Sequence, residues 1–272
     1  MRMRSLALTL TAGLLLAAGA RAQQPPAPPP AADPKLDPLL ARWEKETANI
    51  RTILADITCT RKNPLFNKID VLTGKARLLR QDDGTYLVSV ELNHKENPER
   101  DEKYLCTGTH LYVFRPQEKL IYVYPLPPRK AGQPADKGFM PFMIGMKAEV
   151  AKQRYQLRVA QENEWYTYVT VIPNYPEDQA EFIFARLAIL NKETQMIPKD
   201  TPKEIFWVEP NKVEVKWDIT RIQRDVPGTV SRDDFLPPDP RKLPAGWNFK
   251  YERPLNAPPP EPRVIRPQQS GN

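Results

Sequence analysis

Histidine and cysteine are nearly missing: 272 residues contain only His94 and His110, Cys59 and Cys106. So few ligands exclude a zinc or iron–sulfur centre built on clustered His and Cys, and equally a disulfide-dense scaffold. Serine is scarce too, with only Ser89 and Ser231 between residues 36 and 252. Ser89 lies in the alternating run Leu87-Val88-Ser89-Val90-Glu91, without the Gly-x-Ser-x-Gly elbow of a hydrolase. Cys106 and His110 are four apart, about 13 Å along a strand, out of reach for nucleophile and base unless Gly108 turns the chain between them. The carboxylate pairs Asp82-Asp83 and Glu177-Asp178 adjoin Gly or Pro and read as turns. The expectation is a protein that is not an enzyme, with no cofactor and no metal.

Glycine is also low, 11 residues against 31 prolines, so no collagen-like Gly period exists. Seven prolines fall in 23–38 and ten in 237–272, leaving fourteen for 39–236, close to the usual ~5%. The flanks read as extended arms, whereas the middle, in a chain 40% hydrophobic, can bury a core.

Arg2 and Arg4, an apolar run over 5–19 and Ala20-Arg21-Ala22 form a secretory signal pattern over 1–22. The run is shorter than the ~20 residues of a spanning helix, which sets an uncleaved anchor second. A Pro-rich spacer at 23–35, a domain at 36–252 and a Pro-rich basic tail at 253–272 follow, in an exported, soluble, monomeric protein, periplasmic or secreted. The formal charge of +7 drops to +4 without Arg2, Arg4 and Arg21, and the segment from Pro237 carries +3 of it. Without a basic block or nucleic-acid motif in the body, nucleic acid is not an expected partner. The tail is either solvated or in contact with anionic lipid or an envelope protein.

Within the domain, Leu36, Leu39, Leu40, Trp43, Thr47, Ile50 and Leu54 recur at helical spacing and predict a helix over 36–57, with Asp37 as N-cap and Pro38 in its first turn. The period then falls to two. Strands are predicted at 58–66, 71–81, 85–93, 101–107, 110–115 and 119–124, and again at 155–162, 164–173, 182–191, 197–208 and 212–224, with extended pieces near Phe235 and over 247–251. A polar helix is expected over 147–155. The short connections impose antiparallel pairing. The fold class is α+β, mainly antiparallel: about eleven strands curled into a half-barrel, with the N-terminal helix and an apolar mid-chain helix on the concave face.

The runs "HLYVFRP" (110–116), "IYVYPLP" (121–127), "PFMIGM" (141–146) and "RYQLRV" (154–159), in this order behind a helix and a meander, resemble the periplasmic lipoprotein carrier LolA and the related LolB and RseB-type folds. "NEWYTYVTVIPNYPEDQAEFIFARLAI" (163–189), "NKETQMIPK" (191–199) and "PNKVEVKWDI" (210–219) are similar to an uncharacterised family of exported planctomycete proteins. The carrier resemblance implies a hydrophobic cavity between curled sheet and helical lid, holding lipid or lipoprotein acyl chains. Phe139, Met140, Phe142, Met143, Ile144 and Met146 supply deformable apolar groups for its lining, or else plug an ordinary core. The carrier latches its lid with a strand arginine. Arg77 or Arg80 either takes that place here or is a solvated strand arginine, Arg77 sharing a strand face with Leu79 and Arg80 with Leu78. The insert at 125–134 and the tail depart from the carrier pattern, which leaves an RseB-like interaction or sensor module as the alternative. Cys59 and Cys106 either form a disulfide or are two free thiols.

Overall fold

A computed structural model describes residues 33–126, 142 and 145–253. The expected leader, spacer and tail, apart from a few residues at their borders, lie outside the described residues.

Helix α1 (Leu36–Thr47) buries Leu36, Leu39, Leu40, Trp43 and Thr47 along one stripe. Its N-cap is Lys35, without a side-chain cap bond, so the expected capping by Asp37 is corrected: Asp37 lies inside the first turn, where its charge complements the helix dipole. The helix also ends ten residues before the expected 57. From β1 (Thr52–Asn63) onward, Ile53, Ala55, Ile57 and Cys59 are buried in strict alternation. Ile50 and Leu54 fit either period, and the β-branched residues of 52–60 decide for the strand.

Five more strands make the first meander: β2 (Lys68–Arg80), β3 (Tyr86–His94), β4 (Glu102–Cys106), β5 (His110–Arg115) and β6 (Leu120–Pro125). After helix α2 (Ala148–Arg154), a second runs through β7 (Tyr155–Glu162), β8 (Tyr166–Pro173), β9 (Phe184–Leu190), β10 (Pro202–Val208) and β11 (Glu214–Arg224), with the short helix α3 (Pro176–Gln179) between β8 and β9. The two meanders are zipped by antiparallel pairing of β1 with β11, Cys59 opposite Trp217 and Ile57 opposite Ile219. The result is one open sheet in the order β12-β6-β5-β4-β3-β2-β1-β11-β10-β9-β8-β7.

The expected count of about eleven strands is corrected to twelve among the described residues. The addition is β12 (Asn248–Tyr251), which pairs parallel with β6. A parallel partner at a sheet edge requires a long return connection, and residues 225–247 provide it. They cross the outer face of the first meander, where Phe235 packs with Leu87 and Leu105 in a small second core. The segment expected to be extended near Phe235 is a 3-10 turn (Arg232–Phe235) closed by a capping box between Ser231 and Asp234. The strand expected from 197 starts only at Pro202.

The main core covers the other, inner face. Strands β1–β3 and β7–β11 donate inward-facing residues to it, and one rung runs through Leu72, Cys59, Trp217, Ile205, Leu187 and Val169. Twist accumulating over so many strands curls the sheet around that face.

Candidate functional site

The inner face and what covers it form the candidate site. Ala55 pairs with Ala76, and Gly74 stands opposite Ile57. A Cβ on Gly74 would fall 1.8 Å from the Glu91 carbonyl oxygen, so glycine permits the close approach of β3 there. Leu39, Leu40 and Trp43 of α1 belong to the same core as Ala55 and Ala76.

Besides its buried apolar stripe, helix α1 makes polar contacts around its rim. The Arg80 guanidinium donates to the Ala48 carbonyl at the helix C-terminus. Glu44 Oε2 accepts the Ala148 N–H at 2.9 Å, tying α1 to the first turn of α2, and Lys152 pairs with Asp37 at 2.5 Å. At the other end Asp33 accepts the Val159 N–H at 2.9 Å, and that bond holds its carboxyl below the ordinary carboxylate range. Gly145, at φ +85°, passes so close to the helix end that a Cβ would meet Thr47 Oγ1 at 1.8 Å.

Next to the helix, Phe142 is 2% exposed and seats its ring against Tyr155 (centroids 5.4 Å apart) and Phe182 (6.2 Å). The Arg154 guanidinium lies over the Tyr155 ring at 5.4 Å and forks onto Asp178, with Nε to Oδ2 at 2.7 Å and Nη2 to Oδ1 at 2.5 Å. The space below Phe142 is thus filled by aromatic rings. Two polar atoms are sealed into this core without a hydrogen-bond partner: Trp43 Nε1 and the Tyr155 hydroxyl. Burial pushes the Tyr155 hydroxyl well above its ordinary titration range.

Past Cys59 the same face changes character. Arg61 pairs with Glu102, whose Oε2 accepts the Tyr104 hydroxyl at 3.0 Å, beside an open cleft of about 500 Å³ that also meets Arg115 and Glu209. The inner face is therefore apolar under its cover and charged at this end.

Of the residues singled out from sequence, Phe142 and Met146 stand in or against the main core, while Phe139, Met140, Met143 and Ile144 lie outside the described residues. The two arginines occupy opposite faces. Arg80 follows Ala76 and Leu78 on the inner face and reaches α1. Arg77 follows Leu79 on the outer face, 3.6 Å from Glu91 and 3.8 Å from Asp234 of the return segment. Cys59 and Cys106 are not joined in a disulfide. Cys59 on β1 and Cys106 on β4 are separated by β2 and β3, roughly 14 Å at the usual strand spacing, twice what a bridge can span. Gly108 does turn the chain, but Cys106 pairs with Leu111, so its thiol and the His110 ring point to opposite faces. Burial raises the Cys59 thiol to about 11.

Sequence reasoning did not mark Tyr155, Phe182 or the polar rim of α1 as parts of the site. Strand parity marks Tyr155 as inward once the register is known; nothing local marks Phe182, which precedes β9 in a turn.

No protein-family model matches the chain, and no curated protein does. Among solved structures, the chain is similar to an uncharacterised conserved protein from Thermus thermophilus, at 12% identity over 80% of this chain and 99% of that one, TM-score 0.46. It is also similar to a DUF1329 family protein from Desulfovibrio piger, at 10% identity over 78% and 100%, TM-score 0.43. A putative outer membrane lipoprotein-sorting protein domain from Vibrio parahaemolyticus follows, at 8% identity over 74% and 95%, TM-score 0.34. Overlaps of this size identify neither a ligand nor a partner.

Proposed function

We propose that this chain is an exported, non-enzymatic binding protein that holds lipid or lipoprotein acyl chains between the inner face of the sheet and its cover. In this reading residues 1–22 are the leader, 23–35 a spacer, 36–252 the binding domain and 253–272 a tail that contacts the envelope. The observation that carries it is the pair of partnerless donors, Trp43 Nε1 and the Tyr155 hydroxyl, within an otherwise apolar core. A sealed donor without an acceptor costs about 1–3 kcal/mol. An acyl ester or carboxyl entering beneath the cover brings both the apolar chain the walls want and the oxygen the donors lack. The rim contacts of α1 suit a cover that must open, since exposed polar contacts are individually weak. Phe142 and Met146, with Phe139, Met140, Met143 and Ile144, belong to that cover.

The alternative reading, an envelope interaction or sensor module, is favoured by the β1–β2 hairpin, whose tip leaves Leu65 and Phe66 74% and 77% exposed beside the exposed Ile69 and Val71. The test is native mass spectrometry of protein purified from an envelope fraction, together with titration of a fluorescent fatty acid. Co-purified lipid and saturable probe binding, reduced by Trp43→Phe, support acyl-chain binding. Lipid-free protein that binds no probe, even in the loosened Arg80→Ala variant, rejects it and leaves the interaction reading.

A further inference from the structure

A second cleft, of about 370 Å³, opens at the other end of the sheet, where β1 begins, β2 ends and the 3-10 turn of the return segment crosses. Its rim carries three guanidinium groups, Arg51, Arg80 and Arg232, against one carboxylate, Asp82, and its floor includes Leu79 and Leu87, cross-strand partners on β2 and β3. Arg61, Arg154 and Arg186 each have an acidic partner of their own, Glu102, Asp178 and Glu204. The three arginines of this cleft share one carboxylate. Asp82 sits 3.1 Å from Arg51 with its side chain 96% exposed, and Arg232 has no ion-pair partner among the described residues. Arg80 gives one N–H to the Ala48 carbonyl, and a guanidinium has five.

Three like charges brought around one cleft repel one another unless an anion joins them. We propose that this cleft binds a phosphate group. Its two net positive charges match a phosphate dianion, and planar guanidinium forks match the tetrahedral oxygens. Asp82 on Arg51 is an internal oxyanion resting on one arm of the site and competing for it. Leu79 and Leu87 give an apolar seat to the carbon bearing the phosphate. The site shares Arg80 with the rim of α1, but Arg51, Arg232, Leu79 and Leu87 lie outside the covered core, so it stands whether or not acyl chains bind there.

The same group comes free in solution or on a lipid headgroup, and the two are separated as follows. The full chain is titrated with inorganic phosphate by calorimetry and amide NMR. Saturable binding with shifts confined to Thr52, Gln81 and Asp82 is expected. Arg232→Ala weakens it about tenfold, as the loss of one charge-assisted hydrogen bond should; Asp82→Asn tightens it, and Arg158→Gln on β7 leaves it unchanged. Both cleft variants alter exposed side chains, so equal melting temperatures certify the fold. Phosphatidylcholine vesicles with and without phosphatidic acid form the second arm. Sedimentation that requires phosphatidic acid and is lost in Arg232→Ala assigns the group to lipid; phosphate binding without sedimentation assigns it to the free ion. Failure of both probes, or binding that persists unchanged in Arg232→Ala and Arg51→Ala, overturns the proposal.

Discussion

The Arg80 side chain, at the end of β2, donates to the carbonyl of Ala48, the residue that closes α1. The backbone runs parallel to this contact, with Arg80 N–H donating to the Arg51 carbonyl at 2.7 Å. One residue thus ties the strand end both to the cover and to the start of β1. Arg80→Ala removes the side-chain tie and keeps the backbone one. The exposed bond is worth about 1 kcal/mol, so the melting temperature should fall by about 2–4 °C. Hydrogen exchange should rise in residues 36–47 while the β1–β11 amides keep their protection. An equal rise in both would mean that Arg80 supports the sheet and not the cover.

Trp43→Phe tests the sealed donor. A large core residue normally costs about 3–5 kcal/mol on truncation. Here the substitution keeps a ring in place and deletes a buried N–H that has no acceptor, which returns part of its desolvation cost. The expected change in urea denaturation is within about 1 kcal/mol of zero, against about 2–5 kcal/mol lost in Leu39→Ala on the same helix face. A loss from Trp43→Phe as large as that of Leu39→Ala would show that the indole N–H is satisfied.

The sheet could be read from the chain because its signals are local. Alternation and the Gly, Asn and Pro breaks locate most strands within a few residues, and β7 is found at its observed bounds, whereas the first half of β1 reads as helix. What local pattern cannot show is pairing between ends. Nothing around Cys59 points to Trp217, 158 positions away, yet β1 and β11 form the seam of the sheet. Asn248–Tyr251 reads as an extended piece, but its parallel seat on β6 depends on where the preceding return segment runs. The arginines illustrate the same limit. Parity separates Arg77 from Arg80, and only the position of the core decides that Arg80 faces α1 while Arg77 faces Asp234.

Arg154 and Asp178 join α2 to α3 through side chains only 11% and 4% exposed. Removing one partner of such a pair strands a buried charge, so Arg154→Ala and Asp178→Ala should each lose about 3–5 kcal/mol. The double variant should lose clearly less than the sum of the two, because it leaves no lone charge. The Tyr155–Phe182 wall, whose rings are 6.1 Å apart, rests on this pair. Near-ultraviolet circular dichroism should therefore change in the single variants. Strict additivity of the two losses would refute the coupling.

Cys59 supplies a pH prediction. Its thiol is buried and raised to about 11, chiefly by desolvation, whereas an exposed thiol titrates near 9.0. In the folded state the neutral form is favoured, so the unfolded chain releases its proton first as pH rises. The contribution to stability is complete below about pH 9 and disappears as pH climbs to about 11. Urea denaturation should show stability falling through that window, and Cys59→Ala should flatten this part of the slope at the cost of some packing. Thiol reagents at pH 8 should label native protein at the half-buried Cys106 and spare Cys59, with both sites reacting in denaturant. Rapid labelling of Cys59 in the native protein would mean that the inner face opens at β1 without ligand.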